Sequence, residues 1–317
     1  MKWPITLYRF LNYYINKCCA KSSFFFILFI GNSSYLLAQE MEPRSYAVVP
    51  SGLHAMALSY TYSSGNVITA GSSPVQNLDV SNNVFNLGYV QTFSFFSKLA
   101  RVAVSMPFGF LNGTASFQGL DTAGSRTGFY DGRIKFGVNL FGSPALAPKN
   151  FQKFQESTVF GASVAVSVPL GQYYPSKLIN LGSNRWGFKP ELGLSHREGR
   201  LFYEIYSGIW MYTKNTNYFK SYIQQENTLF SFQAHVDYTF QHGKYLALNG
   251  GYANGGETSL NGMEQNDEEE NWRGGITFST PVFNRHQSVK VMVNTGVATK
   301  AGQNYTAFTL VYQYSWY

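Results

Sequence analysis

Charged residues are scarce: Asp, Glu, Lys and Arg make up 13% of the 317 residues, against roughly 25% in an ordinary soluble chain. So few charges do not cover a surface that faces water all round. Yet no stretch approaches the ~20 consecutive apolar residues that a helical membrane span requires. A closed β-barrel is the spanning structure that remains, because in lipid every backbone N–H and C=O has to be paired internally. Cysteine is nearly absent as well, with Cys18 and Cys19 the only two. Beyond residue 19 this excludes a disulfide framework, a cysteine nucleophile and thiolate-bound zinc. Basic blocks with interleaved aromatics, the footprint of nucleic-acid binding, are missing too. Aromatics, by contrast, are abundant at 17%.

The one strongly apolar run, Phe24 to Ile30, follows Lys2, Arg9, Lys17 and Lys21 with no acidic residue and precedes Leu36-Leu37-Ala38. Positive region, apolar core and small-residue site read as a secretory signal peptide cleaved after Ala38. Both cysteines precede the apolar run, so neither is placed for lipid attachment. Removing these four cations from 24 leaves 20 basic against 17 acidic residues, a nearly balanced mature chain. The predicted organisation is residues 1–38 as signal peptide, 39–52 as a periplasmic or lumenal segment, and 53–317 as barrel.

From residue 53 onward the chain alternates with period two, one face apolar and the other polar or small, as a barrel wall demands. In 131–140, Ile134, Phe136, Val138 and Leu140 alternate with Arg133, Lys135, Gly137 and Asn139. Residues 158–170 set Phe160, Ala162, Val164, Val166, Val168 and Leu170 against Gly161, Ser163, Ala165 and Ser167. Residues 229–240 oppose Phe230, Phe232, Ala234, Val236, Tyr238 and Phe240 to Ser231, Gln233, His235 and Asp237. Weaker runs at 53–62, 84–93, 100–110, 186–195, 201–212, 245–252, 272–281, 288–298 and 305–316 bring the expected total to about 12 antiparallel strands. Short links near 94–98, 196–200, 241–244 and 283–287 alternate with longer ones at 63–83, 111–127, 171–185, 213–228 and 253–271, the periplasmic-turn and outer-loop pattern of bacterial barrels. Residues 141–157 break that rule as a long link on the turn side, with room for a short helix; 299–304 is a short outer loop. The expected location is therefore the outer membrane of a Gram-negative bacterium, with lipid as one partner. The end, Phe308, Leu310, Tyr312, Tyr314 and Trp316 on one face, is similar to the aromatic C-terminal strand read by the outer-membrane assembly machinery, although here Tyr317 is the last residue.

Three blocks stand in order along the mature chain: Glu42-Pro43-Arg44-Ser45-Tyr46 with Pro50-Ser51-Gly52; Pro169 to Tyr173 leading to Asn184-Arg185-Trp186-Gly187-Phe188-Lys189-Pro190-Glu191; and Asn271-Trp272-Arg273. Together with Tyr312-Gln313-Tyr314 they resemble the transporter-like outer-membrane family named for the meta-pathway of phenol degradation. The resemblance implies a barrel that moves small molecules; it assigns neither a substrate nor catalytic residues.

Phasing puts Arg133, Lys135, Arg185, Lys189, Glu191, Glu204, His235, Asp237, Arg273 and Lys290 on inward faces. Arg or Lys facing lipid at mid-bilayer costs roughly 2–4 kcal/mol. Two readings follow: a solute pathway selecting by charge, or an ion-pair network that fills a narrow lumen. Ser231, His235 and Asp237 share a face, but Ser231 and His235 lie about 13 Å apart along a strand, too far for a nucleophile and its base. The run Asp267 to Glu270 lacks the spaced ligands of a calcium loop, and no phosphate-cradling glycine motif opens a helix. No cofactor or metal is expected. The N-terminal segment, barred from strand pairing by Pro43 and Pro50, is expected at the periplasmic mouth or in the lumen, with Arg44 near Glu191 or Glu204. The functional expectation is passive movement of a small solute, aromatic or hydrophobic in kind; the alternatives are a structural or adhesive barrel and, further off, a lipid hydrolase.

Overall fold

A computed structural model describes residues 41–69, 75–117, 119–177, 179–219 and 222–317. The signal-peptide reading falls outside these residues. In chain order the strands are β1 (His54–Ile68), β2 (Val75–Phe95), β3 (Lys98–Phe117), β4 (Leu120–Phe129), β5 (Gly132–Phe141), β6 (Thr158–Val168), β7 (Gly187–Glu198), β8 (Leu201–Tyr212), β9 (Asn215–Tyr218), β10 (Tyr222–Glu226), β11 (Leu229–Thr239), β12 (Tyr245–Gly255), β13 (Thr258–Leu260), β14 (Met263–Glu264), β15 (Glu269–Val282), β16 (Asn284–Thr299) and β17 (Gly302–Trp316). One helical turn, α1 (Pro148–Phe151), lies between β5 and β6.

The large sheet runs β2-β1-β17-β16-β15-β12-β11-β8-β7-β6-β5-β3-β4, with β2 also paired to β3. That last pairing closes it. β4 and β5 both pair with β3, β4 along Phe108–Phe117 and β5 along Ala100–Ser105, so they are two halves of one wall strand, interrupted at Tyr130-Asp131. The wall therefore has twelve antiparallel strands, and closure removes the unpaired edges that hydrocarbon does not tolerate. The first and last strands meet in unbroken register from His54↔Trp316 to Ile68↔Gly302.

Alternation decides which face meets lipid. On β11, Phe230, Phe232, Val236 and Tyr238 are exposed while Ser231, Gln233, His235 and Asp237 are buried. β17 exposes Phe308, Leu310, Tyr312 and Tyr314 in the same way. Aromatic bands mark both ends. At the turn end His54 Nδ1 lies 2.7 Å from the Tyr89 hydroxyl and stacks on Trp316; at the loop end Tyr252 packs on Trp272. Such amphipathic rings favour the level where headgroups meet hydrocarbon.

Two of the expected long loops are instead strand. β1 continues to Ile68 and β2 begins at Val75, while β3 runs to Phe117 and β4 begins at Leu120, so the described residues of 63–83 and 111–127 are largely extensions of the wall strands. Period-two patterning fades there because neither face meets lipid, which hides strands from a hydropathy reading. The links 213–228 and 253–271 carry β9, β10, β13 and β14, which pair as a separate four-stranded sheet. Asn266, in the link after β14, and His242, in the turn between β11 and β12, fall at opposite ends of the barrel. Cysteines introduced at these two positions will react with a membrane-impermeant maleimide from opposite sides of the outer membrane; reaction from one side would contradict the topology.

Candidate functional site

The turn-side mouth is occupied by chain. Ser51 donates its N–H to Leu146 O at 2.8 Å, and Gly52 to Thr92 O at 3.0 Å, which seats residues 50–52 beside the β2–β3 turn and the 141–157 link. From there the chain back to Met41 sets its side chains against inward-facing residues of the wall. Tyr46 is 2% exposed. Its hydroxyl lies 3.0 Å from Ser163 Oγ and donates to Glu191 Oε1 at 3.2 Å, and its ring tilts against Tyr206. The seat for that ring is made by two glycines, Gly161 on β6 and Gly193 on β7, which stand directly opposite each other. A Cβ at either would overlap the ring.

Arg44 is the second anchor. Its guanidinium ion-pairs with Asp237 and donates to Thr239 Oγ1 at 2.6 Å. It also lies over the Phe202 and Tyr245 rings, 4.4 and 4.0 Å from their centres, a position that favours a desolvated cation. The Arg44 N–H donates to Glu204 Oε2 at 2.7 Å. Arg44 thus reaches Glu204 through its backbone and Asp237 through its side chain. Glu191, the other expected partner, is held elsewhere. Further contacts fasten the segment: Arg101 donates to Ser45 O at 2.6 Å and Ala47 O at 2.8 Å, Lys290 to Glu42 Oε1 at 2.6 Å, and Val48 N–H to Glu156 Oε1 at 3.1 Å. Burial pushes the Glu156 carboxyl up from its ordinary range, opposed by the Val48 N–H and by Arg197. Tyr46, Val48, Leu99, Val159 and Tyr206 bury together, with Phe151 and Phe154 packed on them, so α1 and its flank close the same mouth.

A second cluster centres on Glu191. Its carboxylate accepts Lys189 Nζ at 2.7 Å and Lys135 Nζ at 3.0 Å, and the side chains of Glu191 and Lys189 are 4% and 5% exposed. Lys189 also approaches Trp210, and Arg133 lies over the same ring at 5.3 Å. Arg133 and Lys135 of β5 and Lys189 and Glu191 of β7, the two strands that flank β6, therefore form one group with Trp210 of β8. Glu204 and Asp237 belong with Arg44. His235 sits between the two clusters, its Nδ1 2.8 Å from Asn249 Oδ1, and Asn249 in turn donates to Thr277 Oγ1 at 2.9 Å. Ser231 donates to Gly208 O at 3.2 Å, so Ser231 and His235 each have a partner other than the other. Arg273, on β15 near the loop end, donates to Tyr305 O at 2.9 Å. Arg185 lies outside β7, on the loop side, where it ion-pairs with Glu226 of β10 and stacks on Tyr212; period-two phasing does not apply where the strand has not yet begun.

Arg101 and the inward aromatics Tyr206 and Trp210 are absent from the expected set. Arg101 was visible in principle, since it shares parity with Ala103 and Ser105 on β3. Tyr206 and Trp210 were visible in the same way, since on β8 they share parity with Glu204, the one charge of that strand. Among the described residues no group of three or more His, Cys, Asp or Glu is placed to hold a metal.

A family model described as "Putative MetA-pathway of phenol degradation" matches residues 61–310. Among solved structures, an outer-membrane channel from Pseudomonas putida F1 superposes with a TM-score of 0.75 at 20% identity, covering 87% of this chain and 100% of that one. The transport unit of the autotransporter AIDA-I from Escherichia coli aligns more loosely, with a TM-score of 0.48 at 10% identity over 89% of this chain and 94% of that one. The KdgM porin in complex with disordered oligogalacturonate gives 0.42 at 9% identity, over 82% and 99%. No curated protein matches the chain in sequence.

Proposed function

This chain belongs to the phenol-degradation family of outer-membrane barrels, and from that premise we propose that it is a passive channel for a small solute, narrowed by its own residues 41–52. The observation that carries the reading is the concentration of charge on the inner wall. Arg101, Lys135, Lys189, Glu191, Glu204, Asp237 and Lys290 converge on one another or on the N-terminal segment, and the carboxylates of Glu191, Glu204 and Asp237 are buried. A wall of fixed charges and hydrogen-bonding groups selects a permeant by sign and size. The segment leaves the wall pairing intact, so the barrel does not need it for closure; it narrows the passage instead. The solved Pseudomonas putida relative is a channel by its own description, which supports the same activity here.

Passive movement is favoured because the outer membrane offers no nucleotide supply and the chain has no nucleotide-binding motif. Catalysis is not needed to account for any residue described: Ser231 and His235 hold structural hydrogen bonds, and Asp237 serves Arg44. A structural or adhesive role would use large repetitive loops, whereas two of the outer links here fold into the short paired strands β9, β10, β13 and β14. The aromatic face of β17 supports delivery by the outer-membrane assembly machinery.

Purified protein reconstituted into liposomes is expected to admit small solutes from a graded panel and to exclude larger ones, with no dependence on an energy source. Correctly folded protein that gives no flux, with or without residues 41–52, would remove the transport reading. Where flux is found, Lys135→Glu, at the more exposed side of the Glu191 cluster, will shift ion preference toward cations, read as a change in reversal potential; an unchanged potential would assign Lys135 to filling rather than to the pathway.

A further inference from the structure

We propose that the outer mouth of the barrel holds a binding pocket for a small amphiphilic anion, an apolar ring or chain bearing one carboxylate. This rests on the channel reading above and adds a ligand class to it. The pocket is a cavity of about 310 Å³ on the inward side of the β2–β3–β4 extensions, lined by Leu78, Leu111, Ala115, Arg126, Lys177 and Ile179 among others. That size is at the small end of the roughly 300–1,000 Å³ usual for organic ligands.

Its walls divide by chemistry. Leu78 and Leu111 belong to a buried apolar cluster with Val80, Val84, Tyr130, Leu181 and Tyr305, against which Ala115 and Ile179 pack. The inner wall at the turn end is charged, so an apolar inner surface at the loop end calls for an explanation other than lipid contact. The loop that completes the pocket is pinned over it: Asp131 accepts Gly171 N–H at 3.0 Å and Ser183 N–H at 2.8 Å, where the wall breaks between β4 and β5. Arg126 donates to Ile179 O at 3.2 Å and Ser125 O at 2.7 Å, both backbone carbonyls. Neither Arg126 nor Lys177 has an ion-pair partner among the described residues. Asp79 faces an adjoining hollow beyond Gly113 and Ala123.

Two cations without a counter-carboxylate, above an apolar floor, match a molecule with one anionic end and one apolar end. A neutral solute leaves the cations to water, and an inorganic anion leaves the floor uncovered. Arg126 and Lys177 remain accessible to solvent, so binding is weak and release is fast, as a conducting site requires.

Calorimetry on the folded full-length protein in detergent, at fixed ionic strength, tests this with benzoate, benzyl alcohol and acetate as probes. Benzoate is expected to bind saturably, with benzyl alcohol and acetate about tenfold or more weaker. Lys177→Gln and Arg126→Gln will each raise the benzoate Kd by about threefold, the scale of one solvent-accessible charge, and leave benzyl alcohol unchanged. Gly124 lines the cavity and a Cβ there meets nothing within 4 Å, so Gly124→Trp is expected to fill the space and abolish binding, and the variant also corrects for partition of the probes into detergent. Benzoate that does not saturate, benzyl alcohol that binds equally well, or binding that survives Gly124→Trp would each overturn the pocket. The same preparations measured for KCl conductance keep the two readings apart: conductance without saturable benzoate binding overturns the pocket alone, and absence of conductance overturns the channel.

Discussion

Replacing Glu191 with glutamine will destabilise the folded barrel by about 3–5 kcal/mol, the cost of removing one partner from a buried ion pair. Glu191 is the single acceptor shared by Lys189, Lys135 and Tyr46. Lys135 is 29% exposed at its side chain and can turn toward water, but Lys189 at 5% cannot. The loss therefore comes mainly from an uncompensated ammonium. The double variant Glu191→Gln, Lys189→Met will recover most of it, because an apolar side chain of similar volume tolerates the same surroundings. Urea unfolding from lipid bilayers measures both. A single variant within about 0.5 kcal/mol of the parent would mean that the cluster is hydrated and that burial does not govern it.

Gly193→Val will drive the N-terminal segment out of its seat. The Tyr46 ring occupies the space that a Cβ on Gly193 would take, on a floor completed by Gly161 directly opposite. The wall backbone cannot retreat without breaking the β6–β7 ladder, so the ring must leave, and with it the buried cluster of Tyr46 and Val48. A cysteine at position 48, at a site 7% exposed in the parent residue, reports the change: its reaction with maleimide is expected to accelerate about tenfold or more in the Gly193→Val background. An equal rate would show that residues 41–49 are not held by this contact. Arg44→Ala is expected to act in the same direction, since it strips the buried Asp237 carboxylate of its cation.

The wall was legible because each lipid-facing position is constrained one by one: a polar residue there has no partner, so the period-two signal in 131–140, 158–170 and 229–240 is clean. The aromatic face ending at Trp316 is legible for the same reason. What lies beyond the membrane carries no such constraint. The extensions of β1 to β4 alternate weakly, and the small sheet of β9, β10, β13 and β14 is built from residues such as Asn215, Tyr222 and Glu226 that read equally well as loop. Inside, Lys189, Glu191 and Asp237 each stand alone among uncharged or apolar neighbours, and each is buried. Charge alone did not place Arg185, which precedes the start of β7, and Trp210 and Tyr206, uncharged themselves, were marked only by sharing parity with Glu204 on β8. The partner of Arg44 was only half legible, because a backbone N–H to Glu204 leaves no trace in side-chain chemistry. Gly161 and Gly193 looked like small inward residues; that they face each other beneath one tyrosine depends on strand register, which alternation alone does not specify.

The central claim is that residues 41–52 narrow an otherwise continuous passage through a twelve-strand barrel, and single-channel recording in planar bilayers tests it most directly. The parent protein and a variant lacking residues 41–49 are compared at the same salt and voltage. The account predicts stable channels from both, with conductance severalfold higher in the deleted form. Equal conductance from two correctly folded proteins would contradict it.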